Sequence, residues 1–418
     1  MIPPAERLMP VPEPPPRPAV PAVPPPARRC PVCGSTAPLT PARRCPSCGL
    51  LPLRPQVDEE STRSRRRWRV VAVALAPALV AGLVGVVASA VARDPVPGLA
   101  TGWRVRLDAS LVAPAAVEGA SMYVATRVGT VIGVGLAQGR PRWRLETTEA
   151  AVAGPAAGGG LVYVATERPA GGGGHVFAVD AGTGEERWRY TTTAVPSGPP
   201  VPGDDRLHVA TAGEVVALDS RTGEERWRYP VAGVTGIAAG EGVVIVATPG
   251  RLVALDATNG QERWAEAADG GGGGPAVARE LAVTGGLAVA VQHETVVAQR
   301  LADGARRWAA APGGAVRDVA VAGSAIVVLL GNGGVASLDR DSGEEVWRWE
   351  TGTRNGLRIA TDGTRVAVAG DELVVLDAAS GDRLGAAGIG ADQGQLLAVA
   401  GGQVLLGGGT ALEARAPE

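Results

Sequence analysis

The chain has 418 residues, with forty arginines and no lysine against 42 acids, three histidines and four cysteines that all precede residue 49. Twelve arginines and five acids fall in residues 1–69, a net of +7, so the overall −2 leaves −9 on the remainder. An acidic C-terminal part argues against nucleic acid as its partner, and beyond Cys48 it offers no thiol and no lysine ammonium group.

In chain order, residues 1–29 are dense in proline, including Pro14–Pro16 and Pro24–Pro26. Such a tail favours extended polyproline II and is expected to be disordered. Residues 30–49 hold two matching knuckles, Cys30-Pro-Val-Cys33-Gly and Cys45-Pro-Ser-Cys48-Gly, eleven residues apart. Four thiolates at this spacing suit tetrahedral zinc. A segment this short has no core of its own, so the metal would supply its folding energy. The pair resembles a zinc ribbon, with Cys30, Cys33, Cys45 and Cys48 as ligands; a redox pair or disulfides are the alternatives.

Residues 50–69 form a basic linker ending in Arg63, Arg65, Arg66, Arg67 and Arg69 around Trp68. Directly after it, Val70 to Val91 runs 22 residues without a charge, long enough to cross a hydrocarbon core of about 30 Å. Residues 70–92 are therefore predicted to be a transmembrane helix. The arginines before it place residues 1–69 in the cytoplasm and make anionic lipid headgroups a simpler partner for them than nucleic acid. A reducing cytoplasm favours zinc over disulfides. A signal peptide ending near Ala88-Ser-Ala90 is the competing reading, against which 69 preceding residues weigh. Ala81, Gly85 and Ser89 put small residues on one helix face, a geometry suited to a homodimer.

From residue 101 the chain repeats. Trp103, Trp143, Trp188, Trp227, Trp264, Trp308 and Trp347 are spaced by 40, 45, 39, 37, 44 and 39 residues, a period belonging to propellers or solenoids. The unit is clearest at Val215-Val-Ala-Leu-Asp219-Ser-Arg-Thr-Gly223-Glu-Glu-Arg-Trp227. Its apolar β-branched run reads as a buried strand, Asp219 to Gly223 as a turn, and Glu224 to Trp227 as a solvated outer strand. Related copies end at Trp188, Trp264 and Trp347, and weaker ones at Trp143 and Trp308. A seventh, Leu376-Asp377-Ala-Ala-Ser-Gly381, carries Leu384 where tryptophan is expected, which predicts a looser junction. An eighth ends without an outer strand, whereas Gly102-Trp103-Arg-Val-Arg106 is an outer strand without a sheet. The two fragments complete each other, closing the ring and removing its edges. Residues 101–416 shared among eight give about 40 per blade. The prediction is an all-β, eight-bladed β-propeller of four-stranded antiparallel blades, preceded by a short zinc ribbon and one transmembrane helix.

The phrase Leu-Asp-x-x-Thr-Gly-Glu-x-x-Trp is similar to the tryptophan-docking repeat of pyrroloquinoline-quinone (PQQ)-type propellers. That resemblance implies the fold, and it covers both quinoprotein dehydrogenases and non-enzymatic scaffolds such as the propeller lipoprotein of the barrel-assembly machine. The dehydrogenases clamp PQQ with adjacent cysteines and hold calcium through Glu and Asn, or use His and Lys around the quinone. This propeller has no cysteine or lysine, and its Asn residues are Asn259, Asn332 and Asn355, the first two in turns. Its histidines are His175, His208 and His293. Asp339-Arg-Asp341-Ser-Gly343-Glu-Glu345 spaces oxygens like a calcium loop, but it is also the repeat's own turn. No catalytic and no cofactor-binding residue is assigned to the propeller. The expected protein is a single-pass bacterial cell-membrane protein with a cytoplasmic N-terminus and an extracytoplasmic, non-enzymatic propeller. Its propeller docks a protein or envelope ligand and its zinc ribbon meets a cytoplasmic partner. A PQQ-dependent oxidoreductase and a structural envelope-assembly scaffold are the alternatives.

Overall fold

The computed structural model describes residues 98–417 apart from residue 170, residues 268–280, His293, residues 353–357 and residues 390–394. Within them the strands pair into eight antiparallel sheets. These are the blades: residues 111–146, 150–192, 201–230, 236–267, 281–310, 316–350, 358–388, and finally 395–417 joined by 99–106.

Blade 4 shows why these residues form this unit. Its strands, from the axis outward, are Gly236–Gly240, Val243–Thr248, Arg251–Asp256 and Glu262–Ala267. The two middle strands are buried on both faces, because neighbouring blades cover each side, so they read as unbroken apolar runs rather than alternating ones. The outer strand buries only Trp264 and exposes Glu262 and Arg263, which guard an unpaired edge. Several inner strands are short and built of small residues, as at Gly236-Ile-Ala-Ala-Gly240, though those of blades 1 and 6 run longer, over Leu111–Glu118 and Val316–Ala322. In blade 2 the inner strand is broken into Ala150–Ala151 and Ala156–Gly158.

The ring closes as the sequence predicted. Leu99–Arg106 pairs antiparallel with Ala411–Pro417, with Trp103 opposite Ala414, so the first strand is the outer strand of the last blade.

Seven indoles pin the blades together. Each Nε1–H donates to a carbonyl in the next blade, from Trp103 to Leu136 at 2.6 Å through Trp188 to Ser220 at 3.0 Å and Trp347 to Ala378 at 3.0 Å. The ring lies against the glycine that closes the accepting turn. At Gly223, where φ is +73°, an added Cβ would lie 2.6 Å from Cδ2 of Trp188. The register also demands a small residue inside each indole: Gly133 faces Trp143, Ala217 faces Trp227 and Ser337 faces Trp347.

At blade 7 the structure corrects the sequence reading. Val375 pairs with Gly385 where Ala217 pairs with Trp227, so the indole position is held by Gly385. Leu384 stands where Arg226 stands in blade 3.

Strand direction sorts the connections onto two faces. The first-to-second and third-to-outer turns share one, where Ala257 N–H, for example, donates to the Gly242 carbonyl at 3.0 Å; this is the turn face. The second-to-third turns and the links between blades share the other, where Thr147 N–H donates to the Gly129 carbonyl at 3.0 Å; this is the connection face. Leu99 faces Pro417, so both ends of the propeller lie on the turn face. The zinc-ribbon cysteines, the arginine-rich linker and the apolar segment all lie outside the described residues. Among the described residues, no helix is long and apolar enough to cross a membrane.

Candidate functional site

The turn face is occupied with its own construction. Oδ1 of Asp180 accepts the N–H groups of Gly182 and Thr183, both at 2.9 Å, and Oδ2 takes the Arg187 guanidinium at 2.7 Å. That guanidinium, helped by the backbone donors, lowers the Asp180 pKa to about 2. Asp219 with Arg226 and Asp256 with Arg263 repeat the arrangement. The suspected calcium loop is another copy: Oδ1 of Asp339 accepts from the N–H groups of Asp341 and Ser342 and from the Ser342 hydroxyl. Asn259 likewise caps its own turn, through Gln261 N–H at 2.9 Å, while Asn332 caps a second-to-third turn on the opposite face, through Gly334 N–H at 3.0 Å. Asn355 and His293 lie outside the described residues.

The connection face departs from the repeat. Glu149, on the link from blade 1 to blade 2, reaches across to blade 2. Its carboxylate accepts from Nδ1 of His175 at 2.8 Å and from the Thr166 hydroxyl at 2.5 Å. Burial alone would raise the Glu149 pKa, but these two donors outweigh it and the net shift is downward. The preceding Thr148 has φ of +59°, a left-handed conformation uncommon outside glycine. Beside this cluster the Arg189 guanidinium sits 4.4 Å above the centroid of the Phe177 ring. The group thus ties a strained link down with a shared carboxylate.

Along the axis, the inner strands carry mostly alanine, glycine and valine, partly exposed. The carboxylate on the inner strand of blade 6, Asp318, sits at a break in register. It accepts from Val319 N–H at 3.0 Å and, across the junction, from Ile359 N–H of blade 7 at 3.3 Å. Its desolvation outweighs those donors and raises its pKa. Asp318 is therefore committed to joining blades 6 and 7. Among the described residues, no three His, Cys, Asp or Glu side chains converge as a metal site would require. A quinone and its calcium ion need several convergent polar groups; the carboxylates on the described inner strands are Glu118 and Asp318, and each is engaged with backbone N–H groups.

The histidines divide. His175 belongs to the connection-face cluster. His208 is a core residue, 1% exposed, whose Nδ1 donates to the Val201 carbonyl at 3.2 Å and whose ring lies 5.7 Å from that of Trp227. Burial pushes its pKa down to about 4 against the opposing hydrogen bond. It fills the position that Tyr123 and Tyr163 fill in blades 1 and 2, where each phenol donates to the carbonyl its neighbouring indole uses. Glu149, Thr166 and Asp318 were not singled out by sequence. Only the interruption of the repeat at the links between blades marks where to look.

A family model described as outer membrane protein assembly factor BamB matches residues 85–236, 172–328 and 331–411. No curated protein matches the chain. Among solved structures, BamB from Moraxella catarrhalis superposes with a TM-score of 0.60 at 20% identity, covering 76% of this chain and 99% of that one. The computationally designed Ika8 protein gives 0.64 at 14% identity, over 75% and 98%. Quinohemoprotein alcohol dehydrogenase ADHIIG from Pseudomonas putida HK5 gives 0.61 at 13% identity, over 77% and 76%. At these identities the structures share a fold. The family model, spanning most of the chain with a repeat whose seven indoles are all docked, identifies the protein as a member of the PQQ-like propeller family described as outer membrane protein assembly factor BamB.

Proposed function

We propose that this protein is a membrane-anchored, non-enzymatic docking scaffold whose propeller presents its connection face to a protein or envelope ligand outside the cytoplasm. The observation that carries the reading is the placement of both propeller ends on the turn face. With both ends leaving from that face, the connection face carries neither of them. The connection face is also where side chains depart from the repeat, at Glu149, Thr166 and His175. The family described as an assembly factor supports a scaffold over an enzyme. Cys30, Cys33, Cys45 and Cys48 would hold zinc, and the ribbon they form would meet a cytoplasmic partner. Arg63, Arg65, Arg66, Arg67 and Arg69 would lie against anionic lipid.

The test is proximity labelling in native membranes, with the labelling enzyme fused once before residue 1 and once after residue 418. Envelope proteins marked by the C-terminal fusion and a separate cytoplasmic set marked by the N-terminal fusion are expected. The same set from both ends would refute the topology, and an unlabelled envelope would refute the docking role.

A further inference from the structure

Seven of the eight blade junctions carry an indole seated on the next blade's turn, and the one between blades 7 and 8 does not. Gly385 holds the indole position there. Blade 8 also has no third-to-outer turn to receive an indole, because the two ends of the propeller, Leu99 and Pro417, face each other where that turn would be. The missing side chain and the missing acceptor match.

The chain's first described residues stand in for both. Gly98 makes a single parallel bridge with Ala386, the neighbour of Gly385. Leu99 is 7% exposed and belongs to one apolar cluster with Val375 of blade 7 and Leu406 of blade 8, with Leu384 and Ala387 packed against it. Two further bonds cross the seam, from Arg415 to the Gly388 carbonyl at 2.8 Å and from Arg365 to the Gly402 carbonyl at 3.1 Å. An aliphatic side chain buries less area than an indole, which covers about 150 to 250 Å², and it donates no hydrogen bond.

We propose that Gly98 and Leu99 are a latch on the ring's one release point. The residues that lead into the propeller replace the eighth tryptophan, so a pull or a binding event on the chain before Gly98 loosens blade 7 from blade 8. The six indole-pinned junctions between blade 1 and blade 7 stay shut. Opening also strips Leu99–Arg106 from Ala411–Pro417, since the same segment carries the latch and the closing strand.

Hydrogen exchange of the full-length protein, read by mass spectrometry, tests this. In the unmodified protein, residues 383–388 are expected to exchange faster than the matching outer strands 225–230 and 345–350; equal protection would overturn the proposal. Leu99→Ala is expected to speed exchange on the order of tenfold or more in 99–106, 383–388 and 411–417 and to leave 225–230 unchanged. No acceleration, or the same acceleration in every blade, would overturn it. Should Leu99→Ala fail to fold, Leu99→Val is expected to give a smaller increase confined to the same three segments, and a uniform increase would again be contrary.

Discussion

Replacing Gly223 with alanine separates two reasons for a glycine in the docking turn. Gly223 and Gly250 both hold left-handed backbone, with φ of +73° and +83°. At Gly250 an added Cβ meets nothing within 4 Å, whereas at Gly223 it would lie 2.6 Å from Cδ2 and from Cε3 of Trp188. The conformational penalty for an L-residue there is about 1 to 2 kcal/mol and should be common to both. Carbon atoms settle at roughly 3.5 to 4 Å, so in Gly223→Ala the indole must retreat by about 1 Å. That retreat breaks the Nε1–H bond to the Ser220 carbonyl, now 3.0 Å, and opens a junction in which Trp188 is 8% exposed. An unsatisfied buried group costs about 1 to 3 kcal/mol. Gly250→Ala should therefore cost about 1 to 2 kcal/mol and Gly223→Ala about 2 to 5. Urea unfolding of the purified full-length protein measures both, with tryptophan emission shifting red in Gly223→Ala alone. Equal costs for the two would refute the contact argument and leave only the backbone one.

Stability should fall as pH drops from 6.5 towards 4, because buried His208, with its pKa lowered to about 4, stays neutral in the fold while the unfolded chain takes up its proton. The full loss by pH 4 is about 3 kcal/mol, and His208→Tyr, which copies blades 1 and 2, should flatten the urea midpoint across this window. Glu149 has a lowered pKa, so its contribution is complete above the ordinary carboxylate range and is lost as pH falls through the folded value. Glu149→Gln should speed hydrogen exchange in residues 147–150 at neutral pH, and unchanged exchange would mean that the carboxylate does not hold the link. One zinc per chain is expected by elemental analysis of the full-length protein, with Cys30→Ser and Cys45→Ser each abolishing it; retained zinc in both would exclude the four-cysteine site.

The repeat was legible because burying a blade on both faces forces continuous apolar runs, and because one indole per junction leaves a mark every 40 or so residues. The closing strand was legible for the same reason, since Trp103 had no sheet of its own. The position of Gly385 was misread because the eye seeks a large apolar residue, and Leu384 lies next door. Counting from the turn aspartate instead places Trp227 eight residues after Asp219 and Gly385 eight after Asp377. The inner strands were hardly visible, since Ala156–Gly158 and Val201–Pro202 are two or three small residues with no period. Glu149 and His175 meet across 26 residues through a link that follows no repeat, so nothing local announces them.

The coincidence of a missing indole with the chain's own ends carries a consequence for redesign. If an indole is needed only where a turn can receive it, the start of this ring is movable. A circular permutant that joins residue 417 to residue 98 and cuts between Asp339 and Gly343 would create a new receiving turn in blade 8 and destroy the one on which Trp308 now rests. Tryptophan would then be wanted at position 385, with a small residue in place of Val375 opposite it, and become dispensable at 308. The residue count around the circle would be unchanged, and the weakest joint would have travelled with the break.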